Sequence, residues 1–123
     1  MKNDKSMTIQ ELRNITINFM KERDWEQFHT PKEMAVALSA EVGELLDLFL
    51  WKKDKEIALL LAKDKKFKER VGEEFADIFL DCLELANTLG IDITTTFMSK
   101  LKEIAHKYPI EKSKGKTKKY TEL

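Results

Sequence analysis

The fold is decided between His29 and Lys52, in the stretch HTPKEMAVALSAEVGELLDLFLWK. Thr30 can cap a helix, Pro31 suits its first position because that N–H has no partner there, and Glu33 follows at the third. Met34, Ala37, Leu38, Leu45, Leu48 and Phe49 lie at helical spacing, which predicts a helix running to Trp51 or Lys52. Two acids break into that apolar stripe. Glu41 has Leu38 three residues before it and Leu45 four after; Glu44 has Ala40 and Leu48 four residues to either side.

Three further helices are read outward from this one. Thr8 and Glu11 form a capping box ahead of Ile9, Leu12, Ile15, Phe19 and Met20. Phe67, Val71, Phe75, Ile78, Phe79, Cys82, Leu85 and Leu89 define a long helix stopped by Gly90, which suits a left-handed cap. Asp92 starts another through Phe97, Leu101, Ile104 and Tyr108, closed by Pro109, although the run Ile93–Thr96 weakens its first turn. Ile57–Ala62 reads as a short helix or a hydrophobic cover. Four helices with short links predict an all-α, four-helix bundle core in one domain, 1–123, with a basic tail from about residue 110. Apolar faces on all four predict association with further copies.

Composition excludes several classes. With 4 Gly and 2 Pro in 123 residues, too few turn residues exist for an all-β fold. One cysteine, Cys82, rules out an internal disulfide framework and a cysteine zinc cluster. The longest apolar run, Ile57–Ala62, is far short of the roughly 20 residues of a membrane span, and the start MKNDKSMTIQ is too polar for a secretory leader. The expected setting is therefore reducing and cytoplasmic. Basic and acidic residues balance at 22 each, so no net field draws the chain to a nucleic acid polymer or a membrane. The balance is uneven along the chain: residues 1–99 carry a net of −5 and residues 100–123 a net of +5.

The acids of the central helix have counterparts on the long one. Glu74 lies between Val71 and Ile78 on an apolar face, Asp77 is three residues on, Asp81 a turn beyond, and Glu73 adjoins Glu74. In a chain with 36% charged residues, one E-x-x-E is most often a solvated face. Two such pairs inside apolar stripes call for a cation between the helices, since an uncompensated buried charge costs several kcal/mol. Oxygen-only ligands favour Mg²⁺ or Mn²⁺. A di-iron bundle site needs Glu-x-x-His, and neither motif contains His. The aromatic cluster Trp25, Phe28 and His29, with Trp51, offers flat surfaces for a base, the alternative for each Trp being core packing. Lys100, Lys107 and Lys119 could meet phosphate, or simply be solvated.

The segment Glu22–Lys52, ERDWEQFHTPKEMAVALSAEVGELLDLFLWK, closely resembles the MazG-like, all-α nucleoside triphosphate pyrophosphohydrolases of the dCTP pyrophosphatase type. The likeness continues through EEFADIFLD (Glu73–Asp81), SKL and KYP (Ser99–Pro109) and the ending KYTEL (Lys119–Leu123). It implies that Glu41, Glu44, Glu74 and Asp77 bind magnesium, and that Trp25, Glu26, Gln27, Phe28, His29 and Trp51 surround base and sugar. Lys100, Lys107, Lys119 and Tyr120 fall in its later motifs and are substrate-contact candidates. It also implies a homotetramer, a dimer of dimers whose sites borrow residues across an interface. Three positions depart from the pattern: Asp81 stands where the animal enzymes have tyrosine in a substrate contact, Ile104 where many relatives have a polar residue, and Thr16 where some have histidine. The departures bear on base preference.

The expected reaction is cleavage of a nucleoside triphosphate, with dCTP or a 5-modified dCTP foremost, to the monophosphate and pyrophosphate. Glu41 and Glu44 are the first candidates for the base, with Glu73 an outside one. The rivals are the same reaction on dUTP or a broad set of deoxynucleotides, and a non-catalytic oligomeric bundle that binds partners.

Overall fold

Thr8 opens helix α1 (Ile9–Lys21) by the reciprocal pair that its sequence foretells: the Glu11 N–H donates to Thr8 Oγ1 at 3.1 Å, and the Thr8 N–H donates to Glu11 Oε2 at 2.6 Å. The computed structural model describes residues 1–123 and forms two compact units, Met1–Gly90 and Ile91–Leu123. No strand is present; the chain is all-helical.

In the first unit α1 leads through a turn to a short 3₁₀ segment, Glu26–Phe28. The turn is made at Asp24, whose φ of +53° is one a short polar side chain tolerates. Helix α2 (Pro31–Phe49) begins at Thr30, whose Oγ1 accepts from the Glu33 N–H at 3.3 Å. The apolar run Ile57–Ala62 lies within α3 (Asp54–Lys63). Asp64 caps α4 (Lys65–Leu89), accepting from the Phe67 N–H at 3.0 Å, and Gly90 ends it in the left-handed region at φ +65°. Helices α1, α2 and α3 all pack against α4, which buries Phe67, Leu83 and Ala86 together with Met34 and Leu48 of α2 and Met20 of α1. Phe49 meets Phe67 edge to face, centroids 6.3 Å apart. Met34, near the other end of α2, lines a cleft with Asp81 and Glu84 of α4, so the two helices run antiparallel.

One expectation is corrected. Helix α2 stops at Phe49, short of Trp51: Leu50 turns extended, with ψ 140°, and Trp51 takes φ +65° and is 94% exposed. Trp51 therefore leaves the helical face it would share with Glu44.

The second unit holds α5 (Ile93–Lys107), α6 (Ile110–Ser113) and a 3₁₀ turn at Tyr120–Glu122. Asp92 caps α5 by accepting from the Thr95 N–H at 2.9 Å, which secures the β-branched first turn. The fourth helix of the sequence reading is thus α5 of the second unit, and in the first unit α3 joins α1 and α2 against α4. No helix is long and apolar enough to cross a membrane.

Candidate active site

Two rows of side chains, each spaced three and four residues apart, face one another along the α2–α4 seam. On α2 the row is Met34, Ala37, Glu41, Glu44 and Leu48; on α4 it is Glu74, Asp77, Asp81, Glu84 and Thr88. Leu48, Phe49 and Phe67 close one end with apolar packing. Acids occupy the middle.

There, one carboxylate oxygen from each of Glu41, Glu44 and Glu74 lies within 4.8 Å of the other two. Glu41 and Glu74 are half-buried, and the Oε2 of each is shielded from water with no hydrogen-bond partner. Burial raises the Glu41 carboxyl to about 7, helped by a hydrogen bond with Glu44 and by the charges of Glu44, Asp77 and Asp81. Glu74 is raised for the same first reason, then by Glu44 and Asp77, with Arg70 opposing. Asp77 is exposed and outside the trio, yet its charge acts on Glu41, Glu74 and Asp81. A divalent cation fits this donor set: clustered oxygens from two helices, two of them orphaned, in a site that resists carrying its full negative charge alone.

Beyond the acids the seam opens into a cleft of about 290 Å³ lined by Met20, Trp25, Phe28, His29, Met34 and Asp81, among others. The turn before α2 supplies its aromatic side. Trp25 rests edge-on against Phe19 at 6.0 Å, and the Arg23 guanidinium lies over the Phe19 ring at 3.6 Å. Gln27 donates to both the carbonyl and a carboxylate oxygen of Asp24 at 3.0 Å, so it braces the turn. Glu26 lines a smaller adjoining cavity with His29 and Glu84.

Thr16 is buried, and its hydroxyl donates to the Leu12 carbonyl of its own helix at 2.9 Å. Trp51 lines neither cavity. In the second unit Glu103 gathers Lys100 at 3.0 Å and Lys107 at 2.7 Å, and these hold its carboxyl down at about 2. Tyr120 stacks edge-on to Tyr108 at 5.9 Å beneath the Lys107 ammonium, and Lys119 precedes that turn.

Two residues went unnoticed in the sequence. Glu103 had a readable signal, lysines three before and four after it. Glu84 had its place in the polar row of α4, seven residues from Asp77, but its partner His29 is remote in sequence.

A MazG-like family model matches residues 36–123. The rat dCTP pyrophosphatase 1 is 36% identical over 116 residues, which cover 94% of this chain and 68% of the rat protein. The human dCTP pyrophosphatase 1 is 36% identical over 118 residues, with the same coverage. A solved pyrophosphatase from Archaeoglobus fulgidus superposes with a TM-score of 0.73 at 35% identity, covering 82% of this chain and 92% of that one. The chain belongs to the MazG-like family, as a pyrophosphohydrolase.

Proposed function

We propose that the chain hydrolyses a pyrimidine deoxynucleoside triphosphate, dCTP or a 5-modified dCTP, to the monophosphate and pyrophosphate, with Mg²⁺ as cofactor and Mn²⁺ as a substitute. The carrying observation is the convergence of Glu41, Glu44 and Glu74 beside an aromatic cleft on the same seam. Glu41, Glu44, Glu74 and Asp77 would hold the cation, which when bound neutralises the triphosphate and acidifies a water for attack on the α-phosphorus. Either Glu41 or Glu44, neighbouring acids of the trio, would accept that water's proton. Trp25, Phe28 and His29 flank the base, and Asp81, whose Oδ2 has no partner, contacts the nucleotide next to the acids. Glu26 lines the adjoining cavity and Gln27 braces the aromatic turn, while the buried Thr16 and the exposed Trp51 stay candidates for substrate contact. On the second unit Lys100, Lys107, Lys119 and Tyr120 are the candidates for phosphate.

The assembly belongs to the same reading. Val36 and Leu46 of α2 and Phe75 of α4 are 58%, 56% and 61% exposed, and no large side chain is wholly buried. A homotetramer would cover these faces and bring the exposed Trp51 to a neighbour's base. The role is sanitation of the cytoplasmic nucleotide pool.

The test is a panel of ordinary and 5-modified triphosphates with Mg²⁺, detecting pyrophosphate and orthophosphate separately. Pyrophosphate from dCTP ahead of dUTP, dTTP and purines is the expected result. Orthophosphate as first product, or no turnover of any triphosphate, contradicts the reading.

A further inference from the structure

Glu84 is only 6% exposed, yet one of its oxygens is unused. Oε2 lies 3.3 Å from His29 Nδ1, while Oε1 has no hydrogen-bond partner. His29 is itself fixed from α4, because its backbone carbonyl accepts from the Thr88 hydroxyl at 3.3 Å. The carboxyl is therefore held in one orientation. Glu84 lines the aromatic cleft together with Trp25, Phe28, Met34 and Leu80, and it also lines the smaller cavity behind. A buried acceptor without a donor is costly, and a ligand that brings an N–H relieves it.

We propose that Glu84 is a specificity-determining residue: its Oε1 accepts from the exocyclic amine of a cytosine seated in the cleft, and His29 holds it in place to do so. The inference rests on the nucleotide-hydrolase reading and deepens it by naming what reads the base. Cytosine offers an amine where uracil and thymine offer a carbonyl oxygen, which would face Oε1 with lone pairs opposed. The cleft, about 290 Å³, is at the small end of ligand sites (roughly 300–1,000 Å³), which favours a pyrimidine. Asp81 is half-buried and feels Asp77, so it is the acid nearer the metal cluster; Glu84 is the deeper one.

The test is Glu84→Gln. Its amide oxygen can keep the His29 bond, so its NH₂ replaces Oε1 and presents a donor to the base. Burial, aided by Asp81, raises the Glu84 carboxyl to about 7, so the assay runs near pH 8.5 (about 1.5 units higher), where the wild type is ionised. The kcat/KM ratio of dCTP to dUTP should fall at least tenfold, with dUTP turnover improved. An equal loss on dCTP, dUTP and dTTP overturns the proposal, as does a wild type without cytosine preference. Binding of dCMP against dUMP, followed by titration calorimetry, reads the same preference without turnover. A wild type that binds dCMP tighter but hydrolyses nothing would sink the hydrolase reading and leave Glu84's role standing if Glu84→Gln erases the difference. Should Glu84→Gln not fold, Glu84→Asp keeps the charge but withdraws it, and must shrink the ratio without reversing it; an unchanged ratio overturns the proposal.

Discussion

Phe49 and Phe67 meet edge to face at 6.3 Å, with an interplanar angle of 77°, and so tie the last turn of α2 to the first of α4. This contact fixes the register in which Glu41 and Glu44 face Glu74. Phe67→Ala removes a buried ring and should cost about 3–5 kcal/mol, read as a lower denaturation midpoint. Magnesium affinity should fall with it. A variant that loses less than about 1 kcal/mol would deny the contact that role.

The acids oppose one another without a cation. Glu41→Gln should therefore leave the metal-free protein as stable as the wild type or more so, while abolishing the stabilisation that Mg²⁺ gives. For the wild type that gain is RT ln(1 + [L]/Kd), about 2.7 kcal/mol at a hundredfold excess over Kd. Scanning calorimetry with and without MgCl₂ checks both. A Glu41→Gln protein still stabilised by Mg²⁺ would remove Glu41 from the ligand set.

The two tryptophans should separate cleanly. Trp51 is almost wholly exposed on a left-handed backbone, so Trp51→Ala should leave the melting temperature nearly unchanged while weakening nucleotide binding by about 1–3 kcal/mol. Trp25 packs on Phe19, so Trp25→Ala should lower both stability and affinity. Unaltered affinity in Trp51→Ala would exclude it from base stacking.

Glu84 sets a pH dependence of folding. Its carboxyl is raised in the folded chain to about 7 from an ordinary 4.5, so between those values the folded state binds more protons than the unfolded. The stability Glu84 contributes is fully present below about 4.5 and is lost as pH rises through about 7. Melting of the metal-free wild type should fall across that window relative to Glu84→Gln, by about 1–3 kcal/mol. Parallel curves for the two proteins would contradict the raised value.

Much of this was legible in the chain. Thr8 with Glu11, Thr30 with Pro31, Gly90 and Asp92 each act locally, within four residues, and each marks the helix end that its chemistry predicts. The three-and-four spacing of Glu41, Glu44, Glu74 and Asp77 placed the acids on seams, since spacing fixes the face of a helix. Spacing does not fix depth or partner. Glu41 and Glu74 lie half-buried while Glu44 and Asp77 reach solvent, a difference set by the helix packed opposite. The early end of α2 carried no glycine or proline signal, because Leu50-Trp51-Lys52 reads as continuing helix. Glu84 and His29 are paired by the folding of the turn onto α4, which no local pattern encodes.

Attack at the α-phosphorus is read most directly by hydrolysing dCTP with Mg²⁺ in oxygen-18 water and following the products by phosphorus NMR. Pyrophosphate without label and dCMP carrying it are expected, with the signal lost in Glu41→Gln and Glu74→Gln. Label in pyrophosphate, or release of orthophosphate and dCDP, would contradict attack at the α-phosphorus.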